Sequence, residues 1–126
     1  MIDQLREHIQ QACEEPWTFR SWLTGKDGTA TVGTPSEGDR CPIATYLRET
    51  VLQTFGDYYE IAVGENGEVV LTNDEMITVI EGGEYPWMED FITEVDDYDG
   101  PGRDADGYPR MNAEEALAAF ARSVDS

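Results

Sequence analysis

Positive charge is scarce in this sequence. Of its 126 residues only 8 are Lys or Arg, against 27 Asp or Glu, and the formal net charge is −19. Lys26 is the sole lysine and His8 the sole histidine. Binding nucleic acid through its phosphates requires clustered cations. Direct binding of DNA or RNA is therefore excluded, and so is attraction to an anionic membrane. Cysteine is limited to Cys13 and Cys41. Without an export signal such a pair reads as two thiols, with a Cys13–Cys41 disulfide left open. Long apolar runs are absent, and no stretch approaches the ~20 residues a membrane helix needs. The first seven residues are mixed in charge and lack the basic and apolar regions of a signal peptide. A cytoplasmic protein is expected.

The acids are unevenly placed. Residues 1–56 hold 8 acids and 5 bases, whereas residues 57–126 hold 19 acids and 3 bases. The first half is close to balanced, and the second carries a net −16. A field of that sign attracts basic protein surfaces.

Apolar spacing predicts the elements. Ile2, Leu5, Ile9 and Cys13 form the stripe of an amphipathic helix, with Asp3 and Glu7 in its first turns, where they suit the dipole. Glu15-Pro16 ends it. Pro16 then opens a second helix through Leu23, with Trp17, Phe19, Trp22 and Leu23 read as core and helix-packing residues in preference to a binding patch shared with Trp87. Residues 25–39 are rich in Gly, Thr, Ser and Pro and read as a loop with an extended piece at 29–32. Pro42 opens a third helix with Ile43, Tyr46, Leu47, Val51 and Leu52 on one face, stopped at Gly56. Residues 58–63 and 68–72 read as strands joined by a Gly64-Glu65-Asn66-Gly67 hairpin turn. Residues 76–80 lean to a third strand by their β-branched content. Asn73 as a cap and Gly82-Gly83 as a stop keep a short helix open there. Pro86 opens a fourth helix with Trp87, Phe91, Ile92 and Val95 inward. Residues 96–109 form an acidic loop. Asn112-Ala113-Glu114-Glu115 is a capping box, followed by a helix with Leu117, Phe120, Ala121 and Val124 inward. The order predicts a single α+β domain, helices flanking a two- or three-stranded antiparallel sheet.

Three constellations bear on chemistry. Cys41 precedes Pro42 at a helix N-terminus, a position that lowers a thiol pKa. A cysteine-dependent enzyme is one reading; a buried cap residue is the other, since nothing local brings His8 to it. Arg40 alone is weak support for a thiolate. The loop containing Asp97, Asp99, Asp104 and Asp106 offers hard oxygen ligands of the type that bind Ca²⁺. It fails the EF-hand register with either Gly107 or Gly100 at the sixth position, because the first ligand would be Gly102 or Val95. No P-loop, dinucleotide turn, zincin motif or Ser-His-Asp pattern is present, and no cofactor is expected. The third constellation is the acidic half. Glu81, Glu84, Glu89, Asp90, Glu94, Asp96, Asp97, Asp99, Asp104 and Asp106 are the carboxylates expected to meet a partner. Such a face imitates the charge of DNA and fits the basic groove of a nucleic-acid-handling protein. The competing accounts are a halophile-type surface and a solvated acidic face.

Ser21-Trp22-Leu23, Val32-Gly33 and Cys41-Pro42-Ile43-Ala44-Thr45-Tyr46-Leu47 together resemble a pattern in small uncharacterised bacterial and phage proteins. The helix from Pro86-Trp87 to Val95-Asp96 and the closing Ala113 to Leu117 segment extend the likeness over most of the chain. The resemblance implies a phage or mobile-element accessory protein, with no activity to transfer. The expectation is a non-enzymatic acidic binding module, an inhibitor of anti-CRISPR or anti-restriction type.

Overall fold

The computed structural model describes residues 2–33, 41–53, 59–96 and 110–124. Helices α1 (Ile2–Glu14) and α2 (Pro16–Thr24) precede strand β1 (Thr31–Gly33) and helix α3 (Pro42–Leu47). One π-helical stretch, Arg48–Leu52, continues α3. Strands β2 (Glu60–Val63), β3 (Val69–Asn73) and β4 (Glu75–Ile80) pair in that order as an antiparallel sheet. Helix α4 (Pro86–Asp96), strand β5 (Met111–Asn112) and helix α5 (Ala113–Val124) follow. β1 and β5 form a second, two-stranded antiparallel sheet. The architecture is α+β, with residues 76–80 in a strand. The second sheet was not expected from sequence. No helix among the described residues is long and apolar enough to cross a membrane.

The corner between α1 and α2 follows from one missing donor. Pro16 has no N–H, so the carbonyl of Ala12 loses its partner four residues on. Tyr46 of α3 fills that place, its hydroxyl donating to Ala12 O at 2.8 Å. Trp87 of α4 donates its indole N–H to the next carbonyl, Cys13 O, at 2.7 Å. The end of α1 is thus capped by two aromatic side chains from distant helices, which ties the corner to the core.

Phe19 lies at the centre of that core. Its ring is 5.2 Å from Tyr46 and 5.0 Å from Phe91, both edge-on, and 5.6 Å from Trp87 and 6.0 Å from Phe120. Edge-to-face and tilted rings at these separations are the favoured aromatic arrangements. One α2 side chain therefore holds α3, α4 and α5 together. Leu5, Ile9 and Cys13 of α1 are fully buried in the same core, as the stripe predicted.

The larger sheet turns Ile61, Val63, Val69 and Leu71 inward. Val69 pairs with Ile80 and Val70 with Thr78, so Val79 is an extra residue on β4. A bulge leaves its extra residue outside the ladder. Here Gln10 of α1 donates its side-chain amide to Val79 O at 3.2 Å, and both Val79 and Ile80 are buried. The 64–67 turn closes with Gly64 N–H on Glu68 O and Gly67 N–H on Gly64 O. Gly67 has φ +83°, and a Cβ there would lie 3.1 Å from Met88 Cβ, so α4 packs directly on the turn. Gly82-Gly83 is not a helix stop: Gly83 N–H donates to Asn66 O, which fastens the β4–α4 connection to the hairpin.

The N-terminus of α5 has its orphan donors filled. Ala113 and Glu114 N–H donate to Ala30 and Gly28 carbonyls at 2.9 and 3.0 Å. Glu115 N–H donates to Asn112 Oδ1 at 2.8 Å, while Asn112 N–H donates back to Glu115 Oε1 at 3.0 Å. The predicted capping box is present.

Two side-chain expectations need correction. Trp17 is not core: it is 54% exposed. Phe19 and Leu23, four apart, take the inward face of α2, and Trp17 is two residues from Phe19, which at 3.6 residues per turn is the opposite side. On α5 the buried positions are Ala113, Ala116, Ala119 and Phe120, with Leu117 half-buried and Ala121 exposed. Small alanines take the face against the core, which turns Ala121 outward.

Candidate functional site

Helices α4 and α5 pack side by side and leave a groove of about 510 Å³ between their outer faces. Its lining is Trp87, Glu89, Asp90, Thr93, Glu94, Arg122 and Ser123. The geometry of α4 explains this set. Trp87, Met88, Phe91, Ile92 and Val95 are buried, so the intervening Glu89, Asp90 and Thr93 face solvent. Asp90 and Glu94 are four apart and therefore neighbours on the helix surface, a like-charge arrangement that weakens an isolated helix. Arg122, in the last turn of α5, donates its Nε–H to Glu94 Oε1 and offsets part of that repulsion. It lies where a cation suits the helix dipole. Glu89 and Asp90 stay exposed with no cation on them among the described residues. Trp87 forms the groove's inner wall, locked by its bond to Cys13 O.

Glu81 and Glu84 precede α4 and are exposed, with Glu84 Oε2 accepting the Glu81 N–H at 3.3 Å. Asp96 belongs to the last turn of α4. Asp97, Asp99, Asp104 and Asp106, the Ca²⁺ candidates and the remainder of the acidic set, lie outside the described residues, as do Arg40 and Gly56. Among the described residues no three His, Cys, Asp or Glu side chains converge to hold a metal ion.

Cys41 is 7% exposed and caps α3: its Sγ accepts the Ala44 N–H at 3.4 Å. The sulfur therefore serves the helix terminus that Pro42 opens, and His8 is on the exposed side of α1. Cys13 is fully buried, and burial pushes its thiol up to about 12. Both thiols are buried, whereas a nucleophilic cysteine needs exposure as well as a lowered pKa.

A second groove, of about 280 Å³, runs between α2 and α5. Trp17, Arg20, Thr24, Leu117, Phe120 and Ala121 line it. No acid is among them. Sequence reasoning set a binding patch on this aromatic segment second to core packing, and so did not single out the groove. The helical offset of Trp17 from Phe19 was the signal that would have found it.

The chain matches no family model, no curated protein and no solved structure.

Proposed function

We propose that this protein is a non-enzymatic binding module that presents the α4–α5 carboxylates to a basic groove of another protein. The observation that carries the reading is the placement of Glu89, Asp90 and Glu94 along one groove, with Arg122 the one cation lining it among the described residues. A preorganised acidic groove on two packed helices attracts a basic surface over long range and raises association rates by about 10–10³-fold at low salt. The −16 charge of residues 57–126 extends the same field. A DNA-handling or defence protein has the complementary surface, since its own ligand is a polyanion. The motif resemblance to phage proteins supports an inhibitor of the anti-CRISPR or anti-restriction type, acting by charge imitation of nucleic acid.

The test is capture from a bacterial lysate on the immobilised full chain, eluted in steps of rising salt. Basic nucleic-acid-binding proteins should elute at low salt, and added duplex DNA should compete for them. If the captured proteins are no more basic than the lysate, or DNA does not compete, the reading fails.

A further inference from the structure

Strand β4 is an edge of the larger sheet, since among the described residues β3 is its sole strand neighbour. In an antiparallel pair every second residue points its N–H and C=O away from the partner strand. Helix α1 covers the far end of β4, where Gln10 donates to Val79 O and both Val79 and Ile80 are buried. The near end has no such cover. Residues 75–78 are exposed or half-buried, and among the described residues no group outside β3 bonds to their backbone. Met76, on this stretch, is 77% exposed. It shares one face of the sheet with its cross-strand neighbours Thr72 and Glu60 and, two residues on, with Thr78. At the opposite edge β2 presents only Glu60 and Ala62 on that face, so no large apolar side chain awaits an incoming strand there.

We propose that the 75–78 edge of β4 is a strand-addition site, and that its occupant is an extended basic segment of another protein, with Lys or Arg alternating with apolar residues. Two complementarities select that occupant. The unpaired main-chain groups fit an extended backbone, which meets them with its own N–H and C=O groups. Charge sets the sign. Residues 73–85 hold the acids Asp74, Glu75, Glu81 and Glu84 and no base. None of these carboxylates pairs with a cation. Asp74 and Glu75 stand at the start of β4, and Glu81 and Glu84 follow its end. Natural sheet edges are guarded against unwanted pairing by charged side chains, lysine above all. An acidic guard acts with the opposite sign. It repels a second copy of this chain, whose net charge is −19, and attracts a cationic strand. In the added pair, apolar side chains lie across from Met76 and Thr78, and the alternate Lys or Arg side chains lie on the face of Glu75 and Ile77. This edge shares no residue with the lining of the α4–α5 groove, and the inference does not rest on the reading of that groove.

The experiment titrates the 15N-labelled full chain with an acetylated and amidated Lys-Val-Lys-Val-Lys peptide, followed by NMR. The largest amide shifts are expected at residues 75–78, with nuclear Overhauser contacts between the peptide backbone and β4. The same peptide methylated on its backbone nitrogens keeps its charge and side chains but cannot donate to a strand, and it should bind about tenfold or more weakly. A Glu-Val-Glu-Val-Glu peptide should not bind. Met76→Lys places the usual guard on the edge at an exposed position and should weaken binding of the lysine peptide about tenfold or more. The Glu89→Gln, Asp90→Asn, Glu94→Gln variant should keep the shifts at 75–78 and an affinity within about threefold, which separates this edge from the α4–α5 groove. Absence of binding up to millimolar peptide overturns the proposal, as do shifts confined to the α4–α5 groove. Equal binding of the methylated or the acidic peptide overturns it as well. So does a concentration-dependent shift of residues 75–78 in the chain alone, which would make the occupant a second copy.

Discussion

Two grooves flank the same helix, and their chemistry is opposite. On one side α5 meets α4, and Glu89, Asp90 and Glu94 line the cleft. On the other it meets α2, and the lining is Trp17, Arg20 and small or apolar α5 residues. Underneath, the two share one aromatic base, since Phe19 touches Trp87 beneath the first and Phe120 beneath the second. The difference therefore comes from the outer faces of α4 and α2 and not from the core. Uneven charge along the sequence has become uneven charge across one helix.

The largest expected effect separates the grooves directly. Replacing Glu89, Asp90 and Glu94 by Gln, Asn and Gln should reduce association with a basic partner by about 10–10³-fold at low salt. Salt-dependent binding kinetics check the effect.

A second change attacks the shared base. Tyr46→Phe removes the donor to Ala12 O, whose helical donor position is occupied by Pro16. The carbonyl is left partly buried and unpaired, at a cost of about 1–3 kcal/mol. Urea unfolding should show a lower midpoint with an unchanged slope. Both grooves should lose stability together in this variant, whereas the carboxylate variant affects one.

Alkaline pH acts on the same base. Burial pushes the Cys13 thiol from the usual 9.0 to about 12. Tyr46 is raised above its ordinary 10.0, by burial first and then by Cys13, against the lowering effect of its hydrogen bond with Thr18. The unfolded chain releases these protons at ordinary pH values, and the folded chain retains them. Stability is thus fully present below about pH 9 and falls as pH rises toward the folded values, by about 1 kcal/mol per pH unit for Cys13. Urea midpoints at about pH 8 and about pH 10.5 measure the loss. A Cys13→Ser variant should show a shallower decline.

The smallest effect concerns the wall the grooves share. Asn112→Ala removes the acceptor for Glu115 N–H and should cost about 1 kcal/mol. Thermal unfolding checks it. Because Ala113 and Glu114 N–H keep their carbonyl partners, α5 should remain helical and both grooves should persist.

Local signals made much of this fold legible. The stripe of α1, the N1 prolines of α2 and α3, the 64–67 turn and the capping box at Asn112 are all set by residues within one or two turns. The acidic face of α4 was legible for the same reason, because its apolar positions fix which carboxylates point outward. Features built by distant partners were not. Pairing of Thr31–Gly33 with Met111–Asn112 joins short segments about eighty residues apart, of which the first read only as an extended piece within a loop and the second not as a strand. The caps supplied to α1 by Tyr46 and Trp87 depend on tertiary placement. So does the burial of Cys41, which the sequence read first as a buried cap and only second as a nucleophile. The Trp17 groove is an intermediate case, since the helical period was readable but the aromatic richness of α2 outweighed it.

The central claim is that Glu89, Asp90 and Glu94 define a surface for a basic partner. The most direct measurement is paired lysate capture on the unaltered chain and on the Glu89→Gln, Asp90→Asn, Glu94→Gln variant, with stepwise salt elution and quantification of every eluted protein. The account predicts a low-salt fraction of basic nucleic-acid-binding proteins on the unaltered chain that is largely lost from the variant. Equal recovery of that fraction from both would contradict it.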